Sequence, residues 1–220
     1  MGTIERKARE KERRREAIVD AAEKVFFRKG FEAATMDDVA EESELSKGTL
    51  YLYFTRKEDL ILAISKRGMD ILTEMFERAE KKGKTGMARV RAIGAAYFAF
   101  SNAHPGHFQS LVYFDIKNVK PDDLSPMAEA CSRQGQCLIE IVTRAVARGI
   151  EDGSIRPDLD PLKTALFLWS MSNGIRQMLT SMWDHFRDHH DGFSFSGEEE
   201  FIDYAFFLVS SALEPRRKDR

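Results

Sequence analysis

Apolar residues recur along this chain at three- and four-residue spacing, and no run alternates with the period of two that marks a half-buried strand. The pattern predicts an all-α protein. A helix over Arg15 to Lys29 closes at Gly30, and three hydroxyl residues then stand before periodic runs: Thr35, Ser46 and Thr55. Thr35 has Asp38 three residues on, and Thr55 has Glu58, the capping-box spacing that satisfies orphan N–H groups. Ser46 is followed at the same spacing by Thr49. Val39 and Ala40 supply the apolar side of the first short helix, Leu50 and Phe54 that of the second. The free side of the second helix keeps Lys47, Thr49, Tyr51 and Tyr53: a cation, a hydroxyl and two phenols, with no acid of its own. Such a face suits a polyanion.

Beyond Thr55 the helices lengthen. The spacing predicts a helix over Glu58 to about Lys82, stopped by Gly83-Lys84-Thr85-Gly86, then one over Met87 to Asn102 and a short one after His104-Pro105-Gly106. A loop at Lys120-Pro121-Asp122-Asp123 precedes a long helix from about Ser125 to Asp152, closed by Gly153. Asp160 caps the next, with Pro161 in its first turn, and this helix is expected to reach about Arg187. After Asp191-Gly192 the last helix covers Glu198 to Leu213, and there is no internal repeat. The last two long helices are apolar over most of their circumference, through Leu162, Leu166, Trp169, Met182 and Trp183 on one and Phe201, Phe206, Leu208 and Val209 on the other. Helices of this kind are buried on both sides, either in one large core or against a two-fold mate.

With 220 residues, 43% of them hydrophobic, the chain can form a small domain and a larger one, each with its own core. A net charge of −2 argues against indiscriminate nucleic-acid binding. The charge is segregated, however: Arg6, Lys7, Arg9, Lys11, Arg13, Arg14 and Arg15 meet only Glu5, Glu10 and Glu12 in the opening arm. That arm either docks on phosphates or a minor groove, or is a solvated helical extension. Cys131 and Cys137 lie six apart in a helical run, on different faces, and cannot pair there. With no apolar leader, a cytoplasmic, reduced protein is expected. Thr164 to Trp183 is the most apolar stretch, but Arg176 and several polar residues argue against a membrane span. There is no Gly-rich phosphate loop, nucleophile elbow or coherent triad, so no enzyme and no cofactor are expected. His185 and His189 have i, i+4 metal spacing, yet no nearby cysteine or glutamate completes a set, and no metal site is assigned.

The run TMDDVAEESELSKGTLYLYFTRKEDL from Thr35 to Leu60, with the preceding helix and its Gly30 stop, resembles the N-terminal domain of the TetR family of transcriptional repressors. The likeness spans roughly residues 12 to 65. It implies an N-terminal three-helix helix-turn-helix DNA-binding domain with a basic arm, residues 1–57, and a larger C-terminal helical ligand-binding and dimerisation domain, residues 58–220. Position by position, Ser46 to Phe54 becomes the recognition helix in the major groove, with Lys47, Gly48 and Thr49 at its start. Tyr51 and Tyr53 flank phosphates or base edges, while Thr35 and Lys57 hold the backbone at neighbouring helix starts. Where the family commonly has glycine in the turn, this chain has Glu44, and because a β-carbon is strained at positive φ a slightly different turn shape is expected.

The resemblance further implies a homodimer and a cavity for a small molecule. Aromatic rings crowded among small residues are as consistent with a solid core, but with the family in view Phe98, Phe108, Tyr113 and Trp169 become candidates for an apolar ligand site. Gln134, Asn173 and Arg176 are then candidate polar anchors, Arg176 alternatively belonging to an intrachain ion pair. The expected function is a ligand-responsive transcriptional regulator, a repressor released from operator DNA by a small apolar or amphipathic effector. The alternatives are a metal- or small-molecule-binding helical protein with a weak DNA-binding head, and a helical partner-binding adapter.

Overall fold

The computed structural model describes residues 2–117, 126–190, 192 and 194–215. The loop expected at Lys120 to Asp123 and the Asp191 position lie outside the described residues. Every regular element among the described residues is helical: α1 Thr3–Lys29, α2 Met36–Glu42, α3 Lys47–Tyr51, α4 Lys57–Lys82, α5 Gly86–Ala103, α6 Pro105–Lys117, α7 Pro126–Glu151, α8 Pro161–Ser181, α9 Trp183–His189 and α10 Glu198–Leu213. They form two compact units. The first comprises Met1–Ile71 with Ser101–Gly135, the second Leu72–Phe100 with Gln136–Arg220.

In the first unit, Ile18, Val19, Ala22, Val25 and Phe26 form the apolar stripe of α1, and it is closed over by Val39 and Ala40, Leu50 and Phe54, and Leu60, Ile61 and Ile64. α1 starts twelve residues earlier than the periodicity predicts, so the basic arm is helical. Apolar spacing does not reveal an exposed helix, whereas Glu5/Arg9 and Glu10/Arg14 at i, i+4 and the absence of Gly and Pro favour one. Gly30, with φ 84°, ends α1, its N–H donating to Phe26 O at 2.8 Å. The α2–α3 turn is a Schellman closure: Leu45 N–H donates to Ala40 O (2.9 Å) and Glu44 N–H to Glu41 O (3.0 Å). Glu44 fills the left-handed position at φ 54°, where a β-carbon costs roughly 1 kcal/mol that glycine would not.

α6 is fastened to α1 in the same unit. His107 Nε2 lies 3.2 Å from Glu23 Oε1, and its ring sits edge-on to Phe27 at 5.2 Å. From α4, Arg67 reaches Glu16, Asp20 (2.7 Å) and Glu23 (3.0 Å). Burial alone would raise the Glu23 pKa, but the hydrogen bonds to His107 and Arg67 outweigh it and hold Glu23 below the ordinary carboxylate value. Glu23 therefore stays ionised and the three helices share one charged clasp. Cys131 of α7 is buried, its thiol donating to Leu62 O at 3.3 Å, and burial pushes its pKa up to about 11. It is an inert thiol, and Cys137 is exposed and free.

The second unit packs Leu72 and Phe76 of α4, Ile93, Tyr97 and Phe100 of α5, Leu138, Ile141 and Val142 of α7, Ala165 and Leu168 of α8 and Leu213 of α10. The helix expected from Asp160 to Arg187 is broken at Met182, where φ is −132°. The Thr180 hydroxyl donates to the carbonyls of Arg176 and Gln177 and the Ser181 hydroxyl to that of Gln177 at 2.6 Å. Such back-bonding competes with the helix ladder. The bend also brings the buried Trp183 against the half-buried Phe195 and Phe201. Neither Gly nor Pro marks this break in the sequence.

Candidate nucleic-acid interface and effector cavity

The first unit presents α3 through two caps and one apolar anchor. Thr35 and Asp38 form a reciprocal capping box, Asp38 N–H donating to Thr35 Oγ1 (3.2 Å) and Thr35 N–H to Asp38 Oδ2 (3.0 Å). The Lys29 ammonium, 2.7 Å away, and these contacts hold the Asp38 pKa down to about 2. The cap is thus intact at neutral pH and weakens only as pH falls through that value. Thr49 N–H donates to Ser46 Oγ at 3.2 Å, which starts α3. Leu50 and Phe54 are buried beneath it, and the Arg15 guanidinium lies 4.8 Å over the Phe54 ring.

On the outside of α3, Ser46, Lys47, Gly48, Tyr51 and Leu52 are exposed, and Thr49 is half-buried. Tyr53 packs partly against the core of the head, so the two tyrosines are not equivalent. Lys57 ties α4 to the turn that follows α1, its ammonium donating to Glu32 O at 2.9 Å. Sequence reading missed two residues here. Asp37 of α2 holds the Lys47 ammonium at 2.6 Å and raises its pKa, so the face is not free of acid. Leu52 is 79% exposed, the most of any exposed large apolar residue described. A helical wheel signals it, because Leu52 falls on the turn of Gly48, opposite Leu50.

The second unit forms a partly open apolar cavity between α5, α8 and α10, lined in part by Phe76, Ile93, Tyr97, Leu168, Trp169 and Phe206. Gly94 makes room there: a β-carbon would meet the Phe206 ring at 2.6 Å. The free volume is about 50 Å³, below the ~150 Å³ that admits benzene. Arg91 is part of the lining and donates to Ser210 Oγ at 2.8 Å, with Glu214 3.6 Å away.

Of the residues considered for a ligand, Trp169 lines this cavity and stacks edge-on to Tyr97 at 5.9 Å. Asn173 accepts the Tyr97 hydroxyl at 2.5 Å, and Phe98 meets Phe206 at 5.9 Å. Arg176, with 13% of its side chain exposed, lies 3.8 Å from Glu198. Phe108, Tyr113 and Gln134 belong to the first unit, where Tyr113 stacks on Phe31 at 5.4 Å. His185 and His189 stack on each other at 4.7 Å, and the described residues contain no group of three metal-ligating side chains. No helix among them is long and apolar enough to cross a membrane.

A capped three-helix head that leaves the outer face of a short helix bare, joined in one chain to a helical unit with an apolar cavity, has the build of a helix-turn-helix regulator. Residues 18–64 match the model described as bacterial regulatory proteins, tetR family, and residues 90–194 the tetracyclin repressor-like C-terminal domain. The chain belongs to the TetR family of DNA-binding transcriptional regulators, which are not enzymes. It is 29% identical over 180 residues to an uncharacterized HTH-type transcriptional regulator, YfiR of Bacillus subtilis, covering 76% of this chain and 80% of that one. FadR from Bacillus subtilis, solved with stearoyl-CoA, superposes with a TM-score of 0.65 at 18% identity over 90% of this chain and 98% of the other. AibR, solved with isovaleryl coenzyme A and operator DNA, gives 0.63 at 18% over 89% and 97%. At these identities the structural likeness concerns the fold alone.

Proposed function

We propose that the chain is a homodimeric repressor that grips operator DNA through α3 and leaves it when an apolar or amphipathic effector enters the cavity of the second unit. The observation that carries this is the pairing of a bare α3 face in one unit with an apolar cavity in the other. Lys47, Gly48, Thr49 and Tyr51 would contact the major groove, with Ser46 and Thr35 holding the helix starts and Lys57 the turn after α1. Tyr53 would brace the helix from its half-buried side. The cations of the helical arm would add phosphate contacts.

Gly48 supports this reading. A β-carbon there meets nothing within 4 Å and its φ is ordinary, so neither packing nor backbone demands a glycine. Close approach of operator DNA from outside would. Gly48→Ala is expected to leave thermal stability unchanged or raise it by up to about 1 kcal/mol, while weakening operator binding at least tenfold in a gel shift. Equal binding would remove α3 from the interface.

A cavity this small must widen to accept an effector, and Phe206, packed on Gly94, is the ring best placed to move. Effector binding that favours the widened state would shift the dimer between two populations of the DNA-binding heads. α4, α5 and α7 each have residues in both units, and α4 is the one that follows directly on α3 in the chain. Acyl-CoA thioesters bound by FadR and AibR make that class the first to test. Titration with fatty acids and acyl-CoAs of graded length is expected to raise the melting temperature and release operator DNA over the same concentration range, and Trp169→Arg is expected to abolish both. Stabilisation by none of them would count against an acyl effector.

A further inference from the structure

Leu52 is the most exposed large apolar side chain on the described surface, and it sits at the end of α3 in helical geometry, φ −71° and ψ −20°. At about 100° per residue, Gly48 and Leu52 lie within about 40° of each other and Leu50 lies on the far side. The burial agrees: Leu50 is fully buried and Leu52 is bare. The outermost line of α3 is therefore Gly48, with no side chain, and Leu52, with an apolar one; Thr49 and Tyr51 flank them. A lone exposed leucine on an arbitrary surface needs no explanation. This one stands on the midline of the face proposed to enter the groove, and Tyr51 is the one other exposed large apolar residue described on α2 or α3, short of the contiguous patch that a protein partner requires.

Of the base edges that the major groove displays, only thymine offers an apolar group, its 5-methyl. Gly48 lets the helix approach closely and Leu52 then has one kind of surface to bury. We propose that Leu52 is a specificity-determining residue that reads thymine methyl groups in each operator half-site. The proposal rests on α3 being the recognition helix. It makes part of the operator sequence readable from an apolar contact, whereas Lys47, Thr49 and Tyr51 read by hydrogen bonds or hold phosphates.

The test uses the full-length protein and a duplex that it selects from a random pool, in which single thymines are replaced by uracil. The replacement removes one methyl and keeps every hydrogen-bonding group. Burying a methyl is comparable to burying one methylene, so the parent is expected to lose about fourfold in affinity at one or two symmetry-related positions and nothing elsewhere. Leu52→Ala is expected to bind thymine and uracil duplexes equally at those positions, and to melt as the parent does because the side chain is exposed. Leu52→Gln is expected to be equally blind to the methyl. Indifference of the parent to every replacement would overturn the proposal, and so would a methyl dependence that survives in both variants. A change of oligomeric mass in Leu52→Ala with DNA binding intact would assign the residue to a protein contact instead. Failure to select any duplex would overturn the DNA-reading assignment itself, an outcome distinct from methyl indifference.

Discussion

Phe207→Glu is expected to convert a dimer of about 50 kDa into a folded monomer of 25.2 kDa and to cost at least about a hundredfold in operator affinity. The physical basis is the face that α8 and α10 leave bare. α10 exposes Tyr204, Phe207 and Leu208 at i, i+3, i+4 spacing, Phe207 at 63%, and α8 exposes Leu162, Leu166 and Phe167. The opposite sides of both helices are used inside the unit, where Leu168 and Trp169 of α8 and Phe206, Val209 and Leu213 of α10 line the cavity. Each helix thus has two apolar sides, as expected of helices that complete a bundle with a second copy. A glutamate on this face would be desolvated without a partner in the dimer, and nothing in the monomer would oppose it. Two half-sites held by one dimer bind with an effective-concentration advantage of about 10² to 10⁴, which a monomer forfeits. Light scattering and a gel shift on the same preparation check both parts. A parent that is a monodisperse monomer, or a Phe207→Glu variant that stays dimeric, would remove this interface.

The same helices mark what can be read from sequence. Their excess apolar character is a property of single helices and is visible in periodicity. Which of those residues turns inward is not: Trp169, which sequence pattern groups with Leu208, lines the cavity, whereas Leu208 is half exposed. Most of the head was legible because its signals are local; the capping box expected at Thr55 and Glu58 is the exception, since α4 starts at Lys57 and the Thr55 hydroxyl donates to Asp59 Oδ2 at 3.2 Å instead. The capping box at Thr35 and Asp38, the Ser46 cap and the Gly30 stop each concern residues within four positions of one another. The turn went the other way: Glu44, where the family commonly has glycine, raises the expectation of an altered shape, yet it adopts the left-handed φ of 54° and the closing bonds form around it. What sequence did not reveal depends on meetings across the chain, such as the hold of Asp37 on Lys47 or of Glu23 on His107. Leu52 is a different case. Its angular position was readable, but exposure draws attention to polar residues, and an apolar residue is assumed to be buried until a structure shows it bare.

Gly86 is the sharpest instance of a long-range constraint hidden behind a local signal, and it carries the largest expected effect on stability. In sequence, Gly83-Lys84-Thr85-Gly86 reads as a helix stop. In the structure Gly86 is the first residue of α5, pressed against the backbone of α7: a β-carbon would stand 1.9 Å from Gly149 N and 2.7 Å from Ala145 O. These are backbone atoms within a helix and cannot swing aside as the end of a side chain would. The contact also supports the cap of α5, because Gly86 N–H donates to Asp152 Oδ2 at 2.8 Å and Met87 N–H to Ser154 Oγ at 3.0 Å. Gly86→Ala must therefore push α5 from α7 and lengthen both bonds. Overpacking of this kind costs about 3 kcal/mol, equivalent to a fall of about 6 to 12 °C in melting temperature for a chain of this size. Gly135→Ala is the control: it lies within α7, a β-carbon there meets nothing within 4 Å, and alanine is the better helix former by about 1 kcal/mol. Its melting temperature is expected to stay level or rise. If the two variants melted alike, the close approach of α5 to α7 would not be a feature of the folded protein.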